Sequence, residues 1–221
     1  MSRPRTPRSP RATQKLVIRA FEPSDAEALA RMMQQPSVIA GTCRTPHESV
    51  ATNAARFLAD DPLRRSLVAT LDERVVGHLA LHLHKPGRCR HAASLGMMVD
   101  ENHQGRGVGS ALLDEAIALA ERWLHVLRLE LEVHVDNTRA LRLYGSRGFS
   151  IEGVARAHTL RDGMLIDAFR MARLGAALPY PRLTAEEAAS RTPPALPRTP
   201  QPPRRPKGGT GGGWGTRGGQ A

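Results

Sequence analysis

The chain has 221 residues, 40% of them hydrophobic, with a formal net charge of +11, and can bury one substantial core. The charge excess is terminal: residues 1–15 hold five basic residues and no acid, residues 179–221 hold seven against Glu186 and Glu187, and residues 16–178 hold 20 Lys/Arg against 19 Asp/Glu. A near-neutral middle excludes a nucleic-acid-binding domain, whose basic patch would lie on the fold.

These differences divide the chain into a basic Pro/Arg-rich tail over 1–15, one folding domain over 16–178 and a Pro-rich then Gly-rich basic tail over 179–221. Both tails are expected to be disordered, because they cannot bury enough apolar surface to offset ordering. Any nucleic-acid contact is expected to be weak and confined to them. Met1–Gln14 has no apolar h-region, and no run of about 18 apolar residues occurs, so neither a signal peptide nor a membrane span is predicted and a cytoplasmic location is expected. Cys43 and Cys89 stand far apart without zinc-like spacing and read as free thiols.

Leu16–Phe21 alternates as a short strand, and Ser24-Asp25 opens a helix using Ala28, Leu29, Met32 and Met33, which Pro36 is expected to stop. A loop over 36–45 leads to a second helix, with Thr45 as N-cap, Pro46 at its first position and Val50, Ala54, Phe57 and Leu58 on its apolar face. Ser66–Leu71, Val75–His84 and a third strand reaching Val99 form an antiparallel meander. His78, His82 and His84 fall on one side of the middle strand and read as ordinary polar-face histidines, since one strand seldom encloses an ion; no metal is expected. A helix from Val108 to Trp123, a strand from Arg128 to Val135, a helix from Asn137 to Arg147 and strands Phe149–His158 and Leu165–Arg173 complete the order β-α-α-β-β-β-α-β-α-β-β.

The run Gln104-Gly105-Arg106-Gly107-Val108-Gly109-Ser110 joins the strand ending at Val99 to the helix from Val108. A helix start leaves backbone N–H groups unpaired at the positive end of the macrodipole, so a glycine-lined turn feeding it can surround a pyrophosphate. The spacing matches neither a P-loop, which ends Gly-Lys-Ser/Thr, nor a dinucleotide fingerprint. Downstream, Asn137 and Tyr144 are seven residues apart, two helical turns, and lie near one face.

Gln-x-x-Gly-x-Gly at 104–109, followed by Asn137, Ala140, Tyr144 and Gly148-Phe149, resembles the acetyl-coenzyme A loop and second signature of the GNAT N-acetyltransferase superfamily. The likeness covers about residues 16–174. Val75-Val76-Gly77-His78-Leu79, Val135-Asp136-Asn137, Gly148-Phe149-Ser150-Ile151-Glu152-Gly153 and Leu160-Arg161-Asp162-Gly163 resemble, within it, the bacterial L-amino acid N-acyltransferases, with phosphinothricin-type acetyltransferases as near relatives.

The resemblance implies an α/β (α+β) fold: a mixed, largely antiparallel sheet flanked by helices, with coenzyme A in a splay between the fourth and fifth strands. It implies acetyl-coenzyme A as co-substrate, held by Met97, Met98 and Val99 along the strand, by Gln104, Gly105, Arg106, Gly107, Val108, Gly109 and Ser110 in the loop, and by Asn137 and Tyr144. The acceptor is then a small-molecule amine, with the α-amine of an L-amino acid expected. A xenobiotic amine or a protein N-terminus is the alternative, and a coenzyme A sensor or a tail-driven nucleic-acid-binding protein the reading of another class. A homodimer is compatible with all of these.

Tyr144 is the expected hydrogen-bond donor or general acid to the leaving thiolate. A terminal α-amine costs only about 1 kcal/mol to deprotonate at pH 7, against about 4.6 for a Lys side chain, so a weak or water-relayed base suffices. Glu130 and Glu132 share the polar side of their strand with His134, opposite Leu129, Leu131 and Val133, and are the candidate relays. Many relatives carry an acid where this chain has Ala93-Ser94-Leu95-Gly96. A carboxylate-bearing acceptor calls for an arginine, for which Arg44 and Arg161 are the candidates.

Overall fold

A computed structural model describes residues 15–175; the expected tails, apart from Lys15, lie outside the described residues. Strands β1 (Leu16–Ala20), β2 (Arg64–Leu71), β3 (Arg74–Leu83), β4 (Ala92–Val99), β5 (Arg128–His134), β6 (Ser150–Arg161) and β7 (Met164–Leu174) form one sheet in the order β1-β2-β3-β4-β5-β7-β6. Every neighbouring pair is antiparallel except β4 with β5. Two-residue turns close the β2–β3 and β6–β7 hairpins, with Asp72, Glu73, Asp162 and Gly163 all at positive φ, as the twist of a tight hairpin demands.

Helices α1 (Ala26–Met32), α2 (Pro36–Ala40), α3 (Val50–Leu58), α4 (Val108–Arg122) and α5 (Thr138–Gly145) cover the sheet. Leu79, Leu81, Leu95, Leu129 and Leu131 pack with Leu112, Leu113 and Ala116 of α4 and with Tyr144 and Phe149. On the opposite face Val68 and Met98 meet Leu29, Met32, Val38 and Phe57. The expected element order therefore holds, with one added helix.

Three local expectations are corrected. Pro36 starts α2 instead of only ending α1, because its fixed φ suits the first helical position and its missing N–H is one that position leaves unpaired. Thr45-Pro46 lies in a turn, and α3 is capped by Ser49, whose hydroxyl accepts from Thr52 N–H at 3.0 Å. His78 lies on a covered face: it is buried, its ring meets Phe57 edge-on at 5.2 Å, and its Nε2 has no partner. Burial, followed by the charges of Arg64 and His82, pushes its pKa down to about 4.

The feature that shapes the site is a divergence. β4 and β5 pair only over Ala92–Ser94 with Arg128–Glu130. Beyond that point β4 stays with β3 as far as Val99, and β5 stays with β7 as far as His134. Each strand follows its antiparallel partner, and the inner backbone edges open into a cleft.

Candidate active site

The cleft between the diverging strands has a volume of about 1290 Å³, above the ~300–1,000 Å³ typical of drug-sized ligand sites. Met97, Met98 and Val99 form one wall, Leu131 to His134 the other, and the turn before α4 closes one end.

At that end the chain is built to present amide groups. Gly107 caps α4 at φ 84° and Gly105 sits at φ 75°, conformations that cost a residue with a Cβ. A Cβ at Gly107 would meet nothing within 4 Å, so the space above the helix start is open. The first bond of the 15-residue helix runs from Ala111 N–H to Gly107 O at 3.0 Å, which leaves the amides of Val108, Gly109 and Ser110 ahead of the helical ladder. Such a start suits a diphosphate.

The turn is braced on both sides. Gln104 donates to Val99 O at 3.2 Å and accepts from Arg139 Nη1 at 2.7 Å, which brings a cation beside the loop. Asp100 is buried and accepts from Gln35 Nε2 at 2.6 Å and from Asn102 N–H at 3.0 Å, with His103 Nδ1 at 2.7 Å. Burial alone would raise the Asp100 carboxyl, but the His103, Gln35 and Asn102 donors outweigh it and hold it below its ordinary value. Gln35 also accepts from Glu101 N–H at 3.0 Å, tying the start of α2 to the anion turn.

Asn137 caps α5, its Oδ1 accepting from Ala140 N–H at 3.1 Å, and lines the cleft with Tyr144. Tyr144 is 7% exposed and packs against Phe149 with ring centroids 5.7 Å apart. Burial pushes its phenol up to about 12.

Farther along, β6 departs from regular pairing: Ala155 lies opposite Ala168 but Thr159 opposite Ile166, so β6 carries a bulge. Ala157 there has φ 50°, and its N–H donates to Asp167 Oδ1 at 2.8 Å. The bulge turns His158 into the cleft, with Nε2 3.5 Å from Glu132 Oε2 and 3.7 Å from Cys43 Sγ.

The expected site residues do not all converge. Met97, Met98, Val99, Gln104, Gly105, Gly107, Gly109, Ser110, Glu130, Glu132, Asn137, Tyr144 and Arg161 line the cleft. Val108 instead packs in the core and Arg106 points to solvent, so only their backbone amides can serve the turn. Arg44 is exposed and lies outside the cleft lining; the chain leaves the cleft after Cys43, which corrects its assignment to the acceptor. Glu130 is engaged by Arg128 Nε and His84 Nε2, each at 3.1 Å, and Glu132 by Arg170 Nε at 3.1 Å. Arg161 pairs with Asp136 and donates to Ala40 O at 2.9 Å. Gln35, Arg139, Arg170 and His158 were not among the sequence candidates. Spacing gives none of them away: Arg139 stands two residues past the Asn137 cap, about 200° round the helix, and reaches the turn through its contact with Gln104.

Among the described residues, no helix is long and apolar enough to cross a membrane and no group of three or more His, Cys, Asp or Glu is placed to hold a metal ion.

Residues 31–149 match the model of the acetyltransferase (GNAT) family. The chain is 42% identical over 159 residues to the L-amino acid N-acetyltransferase AaaT of Escherichia coli K12, covering 72% of this chain and 98% of the relative. In structure it resembles the candidate acetyltransferase yncA of Salmonella typhimurium, solved with its cofactor acetyl-CoA, with TM-score 0.66, 20% identity and coverage of 76% of this chain and 99% of the other. It also resembles a candidate phosphinothricin N-acetyltransferase, with TM-score 0.66, 23% identity and coverage of 72% and 98%. At these identities the two structures establish a shared fold. The splayed sheet, the glycine turn at the head of α4, the family match and the nearly full-length relative give one conclusion: the chain belongs to the GNAT family of acetyltransferases and is an N-acetyltransferase.

Proposed function

We propose that the protein acetylates the α-amine of an L-amino acid. The observation that carries this reading is the 42% identity, over 98% of its length, to a relative named as an L-amino acid N-acetyltransferase. The cleft agrees with it chemically: Arg161, paired with Asp136 on the cleft lining, presents a guanidinium that can take up an acceptor carboxylate beside that ion pair.

Acetyl-coenzyme A supplies an activated thioester. The amides ahead of α4, with Arg139 beside them, hold its diphosphate, and the free backbone edge at Met97–Val99 aligns the chain that leads to the sulfur. Holding both reactants in register contributes on the order of 7–11 kcal/mol in ideal cases. The amine nitrogen attacks the thioester carbonyl, the C–N bond forms, the C–S bond breaks, and Tyr144 donates a hydrogen bond to the departing sulfur. Arg161 holds the acceptor carboxylate, and the Glu130 and Glu132 side of β5 faces the amine.

The test is release of coenzyme A thiol by the purified protein in the presence of acetyl-coenzyme A and a panel of free L-amino acids, polyamines, amine-bearing antibiotics and peptide N-termini. Turnover is expected with L-amino acids and abolished when their α-amine is blocked. Preference for a polyamine, an antibiotic or a peptide N-terminus would replace the acceptor, and acetyl-coenzyme A binding without turnover on any amine would favour a sensor.

A further inference from the structure

The residues that could accept a proton from the amine are not equally free. Glu130 is engaged by Arg128 and His84. His134 has Nδ1 3.2 Å from Ala40 O and Nε2 3.0 Å from Thr159 Oγ1, so both its nitrogens are committed. Glu132 divides its oxygens: Oε1 accepts from Arg170 Nε at 3.1 Å, and Oε2 faces His158 Nε2 at 3.5 Å. His158 is 23% exposed in its side chain, lines the cleft and has only the long contacts to Glu132 and Cys43 on Nε2. The bulge of β6 and the positive φ of Ala157, pinned by Asp167, turn its side chain inward. Non-glycine strain of this kind persists where surrounding contacts over-determine it, and it concentrates at functional sites.

We infer that His158 is the proton acceptor for the attacking amine, with Glu132 as its orienting carboxylate and Arg170 holding Glu132 in place. This rests on the amine-acetylation reading above and names a residue within it. One proton passes from the ammonium nitrogen to a ring nitrogen of His158 and then to solvent. The second, freed as the C–N bond forms and the C–S bond breaks, ends on the coenzyme A thiol. The imidazolium that appears in between is neutralised by Glu132, whose charge Arg170 keeps aimed at the ring. The groups facing His158 are Glu132 and Cys43, with His134 6.4 Å away ring to ring and Asp167 of β7 bound to the bulge at Ala157.

The experiment compares full-length wild type with His158→Gln and His158→Ala in the thiol-release assay at saturating acetyl-coenzyme A, with acetyl-coenzyme A affinity measured by calorimetry and the fold by circular dichroism. Both variants are expected to lose about 100-fold or more in kcat with unchanged acetyl-coenzyme A affinity, and added imidazole is expected to restore turnover to His158→Ala but not to His158→Gln, whose side chain fills the space. Turnover of His158→Gln near the wild-type rate, or a loss in His158→Ala that imidazole leaves untouched, would overturn the assignment while leaving amine acetylation standing. Wild type that binds acetyl-coenzyme A but releases no thiol with any amine would defeat both.

Discussion

Replacing Tyr144 with Phe removes one oxygen from a ring that is 7% exposed and leaves its packing against Phe149 in place. Burial pushes the phenol up to about 12, whereas an ordinary thiol titrates near 8.5, so complete transfer of the phenolic proton to a departing thiolate is uphill by about 5 kcal/mol. That gap favours donation of a hydrogen bond over full transfer. A hydrogen bond to a charged partner contributes about 1.5–3 kcal/mol, so Tyr144→Phe should lower kcat by about 10- to 150-fold. Its KM for both substrates should stay near wild type, because the bond strengthens as charge develops on sulfur. The assay is steady-state thiol release at saturating acetyl-coenzyme A, with calorimetry to show that the donor still binds. An unchanged kcat would remove Tyr144 from the chemistry, and a loss of about 10⁴-fold or more would show that it transfers its proton outright, contrary to the ordering of acidities argued here.

Four further outcomes follow from the same structure. His78 is neutral when folded, with its pKa pushed down to about 4, against about 6.5 in the unfolded chain; its neutral form favours the fold fully above pH 6.5, and this contribution falls by about 2–3 kcal/mol as the pH drops toward 4. Urea unfolding at pH 7.5 and 4.5 should therefore show a smaller acid loss in His78→Leu than in wild type, and equal losses would refute it. Gly107→Ala forces a Cβ onto a residue at φ 84° and should weaken acetyl-coenzyme A binding by about 5-fold or more, through about 1 kcal/mol of strain at the anion turn, as calorimetry would read; unchanged affinity would show that the turn adapts. Arg161→Ala should raise KM for the amino acid much more than KM for acetyl-coenzyme A, and an equal rise in both would assign Arg161 to holding α2 through Ala40. Removal of residues 179–221, which begin after the last strand has ended at Leu174, should leave kcat/KM for the amine unchanged, and a large fall would place part of that segment in the working enzyme.

The parts of the site that were legible in the sequence are those set by local geometry. The glycines at 105 and 107 announce the positive-φ backbone of the turn, and Asn137 with Tyr144 announces one face of one helix. What was not legible depends on tertiary neighbours. Pro36 satisfies the rules for stopping α1 and for starting α2 equally well, and only the anchoring of Gln35 on Asp100 and Glu101 decides that a helix begins there. The alternation of β3 put His78 on the polar-looking side, yet α1 and α3 cover that side and Phe57 closes over the ring. Arg44 is near Cys43 in sequence but faces solvent, while His158 is far from it and meets its sulfur. The inward turn of His158 comes from a bulge and a positive φ at Ala157, neither of which has a signature in Arg156-Ala157-His158.

The account turns on the diphosphate being held by the amides ahead of α4. Titration calorimetry with acetyl-coenzyme A and, in parallel, with an acetyl thioester of the pantetheine arm that lacks the nucleotide diphosphate tests it directly. Binding of the full donor, with the truncated one at least about 100-fold weaker, is the predicted result; equal affinity for the two, or no heat of binding with either, would contradict it.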